Sequence, residues 1–128
     1  MPAKYVLDAS AALAVLFEER GYRGVEPLLP DCGISVVNMA EVLSRLVLLG
    51  ARVEQAMTAF QSLGVEVLPF EPQHAVQAAH MARTTRGHGL SLGDRVCLAT
   101  AKIRNVPAIT VDRAWRGFRL GVQIRCVR

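Results

Sequence analysis

The sequence holds no apolar run long enough to cross a bilayer. Residues 9–17, the longest nearly apolar stretch, fall well short of the ~20 residues a membrane helix needs. No signal-peptide pattern is expected, because residues 1–4 lead straight into a strand-like segment. The three cysteines, Cys32, Cys97 and Cys126, are odd in number and lack metal-type spacing. They read as buried small hydrophobes of a reducing cytoplasm, with neither a disulfide framework nor a thiolate metal site. His74 and His80 stand six residues apart on one helix, matching neither i+3 nor i+4, and read as partly buried structural residues. Lysine is scarce: thirteen of the fifteen bases are arginine, and only Lys102 lies in the second half. No internal repeat or low-complexity tract is visible.

What remains is a chain of 128 residues with a 52% hydrophobic fraction, enough for one domain over 1–128 with a substantial core. Its net charge of +4 is unevenly placed. From Arg83 onward ten bases accompany two acids, whereas residues 1–82 carry five bases and nine acids. A basic segment beside an acidic one suits a protein that holds a polyanion such as nucleic acid, although solvated helix faces explain the arginines equally well.

Residues 5–7 form an unalternated apolar run ending at Asp8, the pattern of a strand buried on both faces. Further strands are expected over 34–37, 65–68, 108–111 and 122–127. Helices are expected over 9–19, 25–29, 39–49, 52–63, 73–86 and 92–104, with Asn38 and Ser91 as caps for the helices of Glu41 and Asp94. Strands alternating with helices imply a parallel sheet with helices on both faces, a three-layer α/β/α sandwich of five strands. Right-handed crossovers then collect the carboxyl ends of the strands on one edge.

Four acids take their meaning from that edge. Asp8 and Asp112 each end a strand, while Glu41 and Asp94 each follow a cap by three residues. Gathered in one crevice they would repel one another, and a divalent cation would remove that cost. Oxygen ligands without supporting His or Cys favour Mg²⁺ or Mn²⁺. Each acid alone is equally explained as a helix cap worth about 1 kcal/mol. Yet a cap tolerates Ser, Thr or Asn, and all four positions carry an ionised group. The remaining seven acids fall on helix bodies, loops or a strand.

The residues at these junctions resemble a PIN domain of the VapC type, the ribonuclease toxins of prokaryotic toxin–antitoxin pairs. The resemblance rests on residues 5–13, on Ser35 with 38–42, on 90–99 and on 110–115, in that order. It implies metal-dependent hydrolysis of RNA, with Asp8, Glu41 and Asp94 as the central acids of the metal site and Asp112 as a more variable fourth. Ser10 and Thr110 match the small hydroxyl residues that line such sites, with Asn38 in support. Gly93 departs from the pattern, which more often has alanine there. The resemblance also implies a small VapB-like antitoxin covering the helices of residues 9–29 and 39–63, and homodimerisation.

On this reading the chain is an endoribonuclease in which Asp8 and Asp94 bind the metal directly. Glu41 and Asp112 complete the site, and Arg86, Arg95, Arg113 and Arg116 hold the RNA backbone. Two other classes fit the same outline. A non-catalytic PIN-like module would bind RNA or protein without turnover. A phospho-acceptor receiver domain would also place acids at strand ends, but needs a lysine beside them, and Lys102 lies within a helix.

Overall fold

Val6 and Leu7 are both fully buried, and they face opposite ways: Leu7 joins the apolar cluster of one layer and Val6 that of the other. A strand with both faces covered needs no polar alternation, which is why its sequence shows none. In the computed structural model, which describes residues 2–128, this segment is β1 (Tyr5–Leu7), the middle strand of a five-stranded sheet. The others are β2 (Cys32–Ser35), β3 (Glu66–Leu68), β4 (Ala108–Thr110) and β5 (Ile124–Cys126), ordered β3-β2-β1-β4-β5 with every pair parallel. The strand order reverses at β1, whose neighbours are β2 on one side and β4 on the other. Ligands of open α/β sheets bind outside the carboxyl ends of the strands at such a reversal.

Helices cover both faces, giving the three-layer sandwich expected from the sequence. On one side lie α1 (Ala9–Phe17), α2 (Tyr22–Val25), α3 (Val36–Leu48) and α4 (Val53–Gln61), packed through Ala11, Ala12, Val25, Val42, Leu46 and Phe60. On the other lie α5 (Pro72–Thr85) and α6 (Leu92–Arg104), packed through Ala78, Met81, Cys97 and Leu98 around the fully buried Trp115. 3-10 helices occupy Glu26–Asp31, two turns long, and Arg113–Trp115, a single turn. Among the described residues, no helix is long and apolar enough to cross a membrane.

Several local expectations are corrected. The second strand runs over Cys32–Ser35, not 34–37, because the Ser35 hydroxyl accepts from the Val37 amide at 3.2 Å and starts α3 at Val36. Asn38 is therefore no cap but a buried residue inside α3. The last strand is confined to Ile124–Cys126. His74 is buried, its Nδ1 accepting from the Glu71 amide at the start of α5, whereas His80 is exposed. Cys32 and Cys97 are buried as expected, and Cys126 only partly so.

Candidate metal centre

Asp8 directly follows β1 and caps α1. Its Oδ1 accepts from the Ala11 amide at 2.8 Å, and its Oδ2 from the Thr110 hydroxyl at 2.6 Å. The Ser10 hydroxyl lies 2.8 Å from both carboxylate oxygens and 3.3 Å from Thr110 Oγ1. Asp8 is nevertheless only 2% exposed. Removal from water disfavours the charged form more than these bonds to Thr110, Ala11 and Ser10 favour it, and the charge of Asp94 adds to the effect. The carboxyl is pushed up to about 7. Among the described residues no basic side chain forms a salt bridge with it.

Thr110 ties the two strands at the reversal together. While its hydroxyl donates to Asp8, it accepts from the Asp112 amide at 3.0 Å. Asp112 in turn accepts at Oδ1 from the Ala114 amide and caps the turn Arg113–Trp115. The Val111 amide donates to Ser10 Oγ at 3.3 Å, closing the set. The resemblance implied Ser10 and Thr110 beside the acids, and both hydroxyls belong to this hydrogen-bonded group.

Asp94 stands in the first turn of α6 in the capping box read from the sequence. Its Oδ2 accepts from the Ser91 amide at 2.9 Å, and the Ser91 hydroxyl accepts from the Asp94 amide at 3.1 Å. Burial raises its carboxyl above the ordinary value, Ser91 opposes this, and the charge of Asp112 reinforces it. Asp8, Asp94 and Asp112 are thus electrostatic neighbours in a chain.

Glu41 reaches the group from α3. Being the sixth residue of that helix, it is beyond the first turn assigned from the sequence. The Asn38 amide nitrogen donates to Glu41 Oε1 at 2.7 Å and to the Gly93 carbonyl of α6 at 3.0 Å. Two acceptors on one side fix the orientation of that amide and leave Asn38 Oδ1 buried without a partner. Below the group lies Cys97, one turn after Asp94. Burial raises its thiol well above the ordinary value, and the charges of Asp8, Asp94 and Glu41 all add to the rise.

These donors fit a hard cation in chemistry but do not form a cage. Glu41 Oε2, Asp94 Oδ1 and Asp112 Oδ2 accept no hydrogen bond among the described residues. Among those residues, no three carboxylate, imidazole or thiol groups gather tightly enough to hold an ion by themselves. Mg²⁺ is commonly held by one or two carboxylates, with water and substrate oxygens completing the octahedron, so an open set of acids suits it better than it suits zinc.

The arginines divide. Arg95 donates to the Ala78 carbonyl at 3.1 Å and so ties α6 to α5. Arg86, Arg113 and Arg116 are exposed and form no salt bridge among the described residues, where the ion pair is Lys4–Asp31. Arg116 and Arg119 line a cavity of about 410 Å³ with Thr84, His88 and Phe118, beside the turn that Asp112 caps. Lys102 lines a cavity with Asn105, Val106 and Pro107, just before β4 and so at the opposite edge from the acids. A receiver domain would need it at the other end.

Residues 5–119 match the family model of the PIN domain. No curated protein sequence matches the chain. Among solved structures, the DNA-bound VapBC of Salmonella typhimurium has a chain that is 17% identical, with TM-score 0.75 over 98% of this chain and 99% of that one. A toxin–antitoxin complex from Klebsiella pneumoniae is 19% identical, with TM-score 0.72 over 97% and 98%. VapBC-5 of Mycobacterium tuberculosis, a member of the VapBC family of toxin–antitoxin systems, is 28% identical, with TM-score 0.63 over 99% of both chains.

Proposed function

Since the chain belongs to the PIN-domain family, we propose that it is a Mg²⁺- or Mn²⁺-dependent endoribonuclease, the toxin of a VapBC-like pair. The observation that carries this reading is the buried Asp8 at the strand-order reversal, with Asp94 brought up to it from α6. Its carboxyl has no use as a mere cap, because a neutral serine or asparagine would cap α1 without the cost of burying a charge.

Asp8 and Asp94 would hold the cation, with Glu41 and Asp112 completing its shell directly or through water. The bound ion would lower the pKa of a water and stabilise charge on the phosphate. Thr110, Ser10 and the Ala11 amide keep the Asp8 carboxylate fixed, so that its oxygens do not turn toward other donors. One of the more exposed acids, Glu41 or Asp112, would accept the proton of the attacking water. Arg86, Arg113 and Arg116 offset the repulsion between RNA phosphates and the acids.

The antitoxin reading has its own support. Phe17, Leu48, Leu49 and Val53 are exposed on α1, the end of α3 and the start of α4. A cavity of about 570 Å³ lined by Leu13, Phe17, Arg45 and Leu49 extends to Ser10, next to Asp8. A partner segment laid along it would cover apolar surface and end at the acids. Homodimerisation is proposed from the family resemblance alone. The open arrangement of the donors favours one second reading, a PIN-like module that binds RNA without cleaving it.

Incubation of the purified chain with RNA and Mn²⁺ separates these readings. Cleavage that stops in EDTA, and in Asp8→Asn and Asp94→Asn proteins that still fold, is the expected result. RNA binding without turnover at any metal concentration establishes the module instead. Activity undiminished by EDTA refutes the metal mechanism.

A further inference from the structure

We propose that the corner between His88 and Phe118 seats one unpaired base of single-stranded RNA, beside the nucleotide whose phosphate reaches the acids. The proposal rests on the nuclease reading above and adds where a base of the substrate goes. The two rings lie 5.3 Å apart between centroids and at 87° to each other. A planar base laid against one ring meets the other at its edge, and these are the two arrangements that aromatic pairs prefer. Arg116 and Arg119 line the same cavity of about 410 Å³, and no acid among the described residues does. Aromatic rings and guanidinium planes are the surfaces on which proteins stack the splayed bases of single-stranded RNA.

The place of the cavity decides what it can serve. Ala114, in its wall, donates its amide to Asp112 Oδ1 at 2.9 Å, so the cavity adjoins the acid edge. Thr84 is shared with a second cavity of about 630 Å³, lined by His80, Arg83 and Arg86. None of these four arginines forms a salt bridge among the described residues. A basic path thus runs from the end of α5 past the ring corner to Asp112, as a phosphate backbone requires. Phe118 is half-buried and packs on the apolar layer around Trp115. His88 stays exposed, between Gly87 at φ +80° and Gly89 at φ +77°, left-handed conformations that other residues resist. A ring serving only to cover the core would be buried with it. The exposed ring leaves a π face open to a ligand.

The test uses the full-length protein in EDTA, so that binding is read apart from turnover. Fluorescence anisotropy gives the affinity for a labelled single-stranded RNA, a fully paired duplex of the same sequence, and an abasic ribose-phosphate strand of equal length. Wild type should bind the abasic strand at least about fivefold more weakly than the RNA. His88→Ala and Phe118→Leu should lose about that factor for the RNA, and nothing for the abasic strand or the duplex. His88→Phe, which restores a ring without the imidazole nitrogens, should regain wild-type affinity. The slope of log affinity against log salt should stay that of wild type in all three variants, since no phosphate contact is lost. A loss in His88→Ala that persists on the abasic strand, or that His88→Phe does not restore, would make the histidine a phosphate or hydrogen-bond contact and overturn the proposal. Wild-type RNA affinity in His88→Ala would overturn it too, and this variant decides alone if thermal unfolding shows Phe118→Leu to be destabilised. A wild type that prefers the RNA over the abasic strand through these rings, yet cuts no RNA with Mn²⁺, removes the nuclease reading and leaves the base seat standing. A wild type that binds no RNA removes both.

Discussion

The Thr110 hydroxyl donates a 2.6 Å hydrogen bond to Asp8 Oδ2, joining residues 102 apart along the chain. It links the ends of two adjacent parallel strands at the point where the sheet's order turns back. Because the same oxygen accepts from the Asp112 amide, one side chain sets both acids. Thr110→Val keeps the shape and removes the oxygen. We expect a stability loss of about 1.5–3 kcal/mol for a buried bond to a charged group. Metal-dependent cleavage should fall with it. Urea unfolding checks the first, and a cleavage assay with saturating Mn²⁺ checks the second; unchanged values in both would mean that Thr110 is only a spacer.

The metal-free chain should become less stable as pH rises toward neutrality. The Asp8 carboxyl lies at about 7 in the folded protein, against an ordinary value of 3.8. Below the ordinary value it is protonated in both states and its burial is not penalised. Between the two values the unfolded chain ionises while the folded chain keeps its proton, so stability falls through that window and levels off above about 7. At about 1.4 kcal/mol per pH unit the full change is on the order of 4 kcal/mol. Asp94 is raised in the same direction and adds to the slope. Urea unfolding in EDTA across this range should show the decline, Asp8→Asn should lose most of it, and saturating Mn²⁺ should flatten it for wild type. A metal-free stability that climbs with pH would contradict this account.

Arg116→Ala should weaken RNA binding without touching the metal site. Its guanidinium is exposed and forms no salt bridge among the described residues, so folding stability should change by no more than ~0.5 kcal/mol. The slope of log affinity against log salt should drop by about one, the mark of one lost phosphate contact. A fluorescence titration with labelled single-stranded RNA at several salt concentrations gives the slope. No change would place the RNA elsewhere.

Leu48 is 83% exposed at the end of α3. Leu48→Glu should leave cleavage intact and stability within ~0.5 kcal/mol of wild type, since no core contact is lost. If the exposed leucines and Phe17 form the antitoxin surface, inhibition by the cognate antitoxin should weaken by at least about tenfold, or ~1.4 kcal/mol. Inhibition equal to that of wild type would move the antitoxin to another face.

The parts of this protein that were legible in its sequence are those where local chemistry and tertiary role agree. Tyr5–Leu7 is apolar throughout because both faces are covered, and Ser91 with Asp94 caps α6 as its spacing foretells. Ser35 was misread because it lies within a run of β-branched residues. Its hydroxyl ends the strand there, and no propensity favours that choice over continuing for two more residues. Asn38 was given the cap for the same reason, and one of its two partners, the Gly93 carbonyl, is 55 residues away. The bond from the Thr110 hydroxyl to Asp8 is likewise a product of packing, with no periodicity to announce it.

The central position of β1 has a temporal consequence. The protein's first strand waits beside an empty slot until Ala108–Thr110 is made and inserted. During synthesis, a ribosome-bound chain without that insertion has Asp8 uncovered, lacks the hydroxyl that holds it, and has nothing equivalent to Asp112. The acid edge is therefore complete only once Ala108–Thr110 and Asp112 are in place, and the same strand supplies Ile109 to the apolar layer beneath α1 and α3.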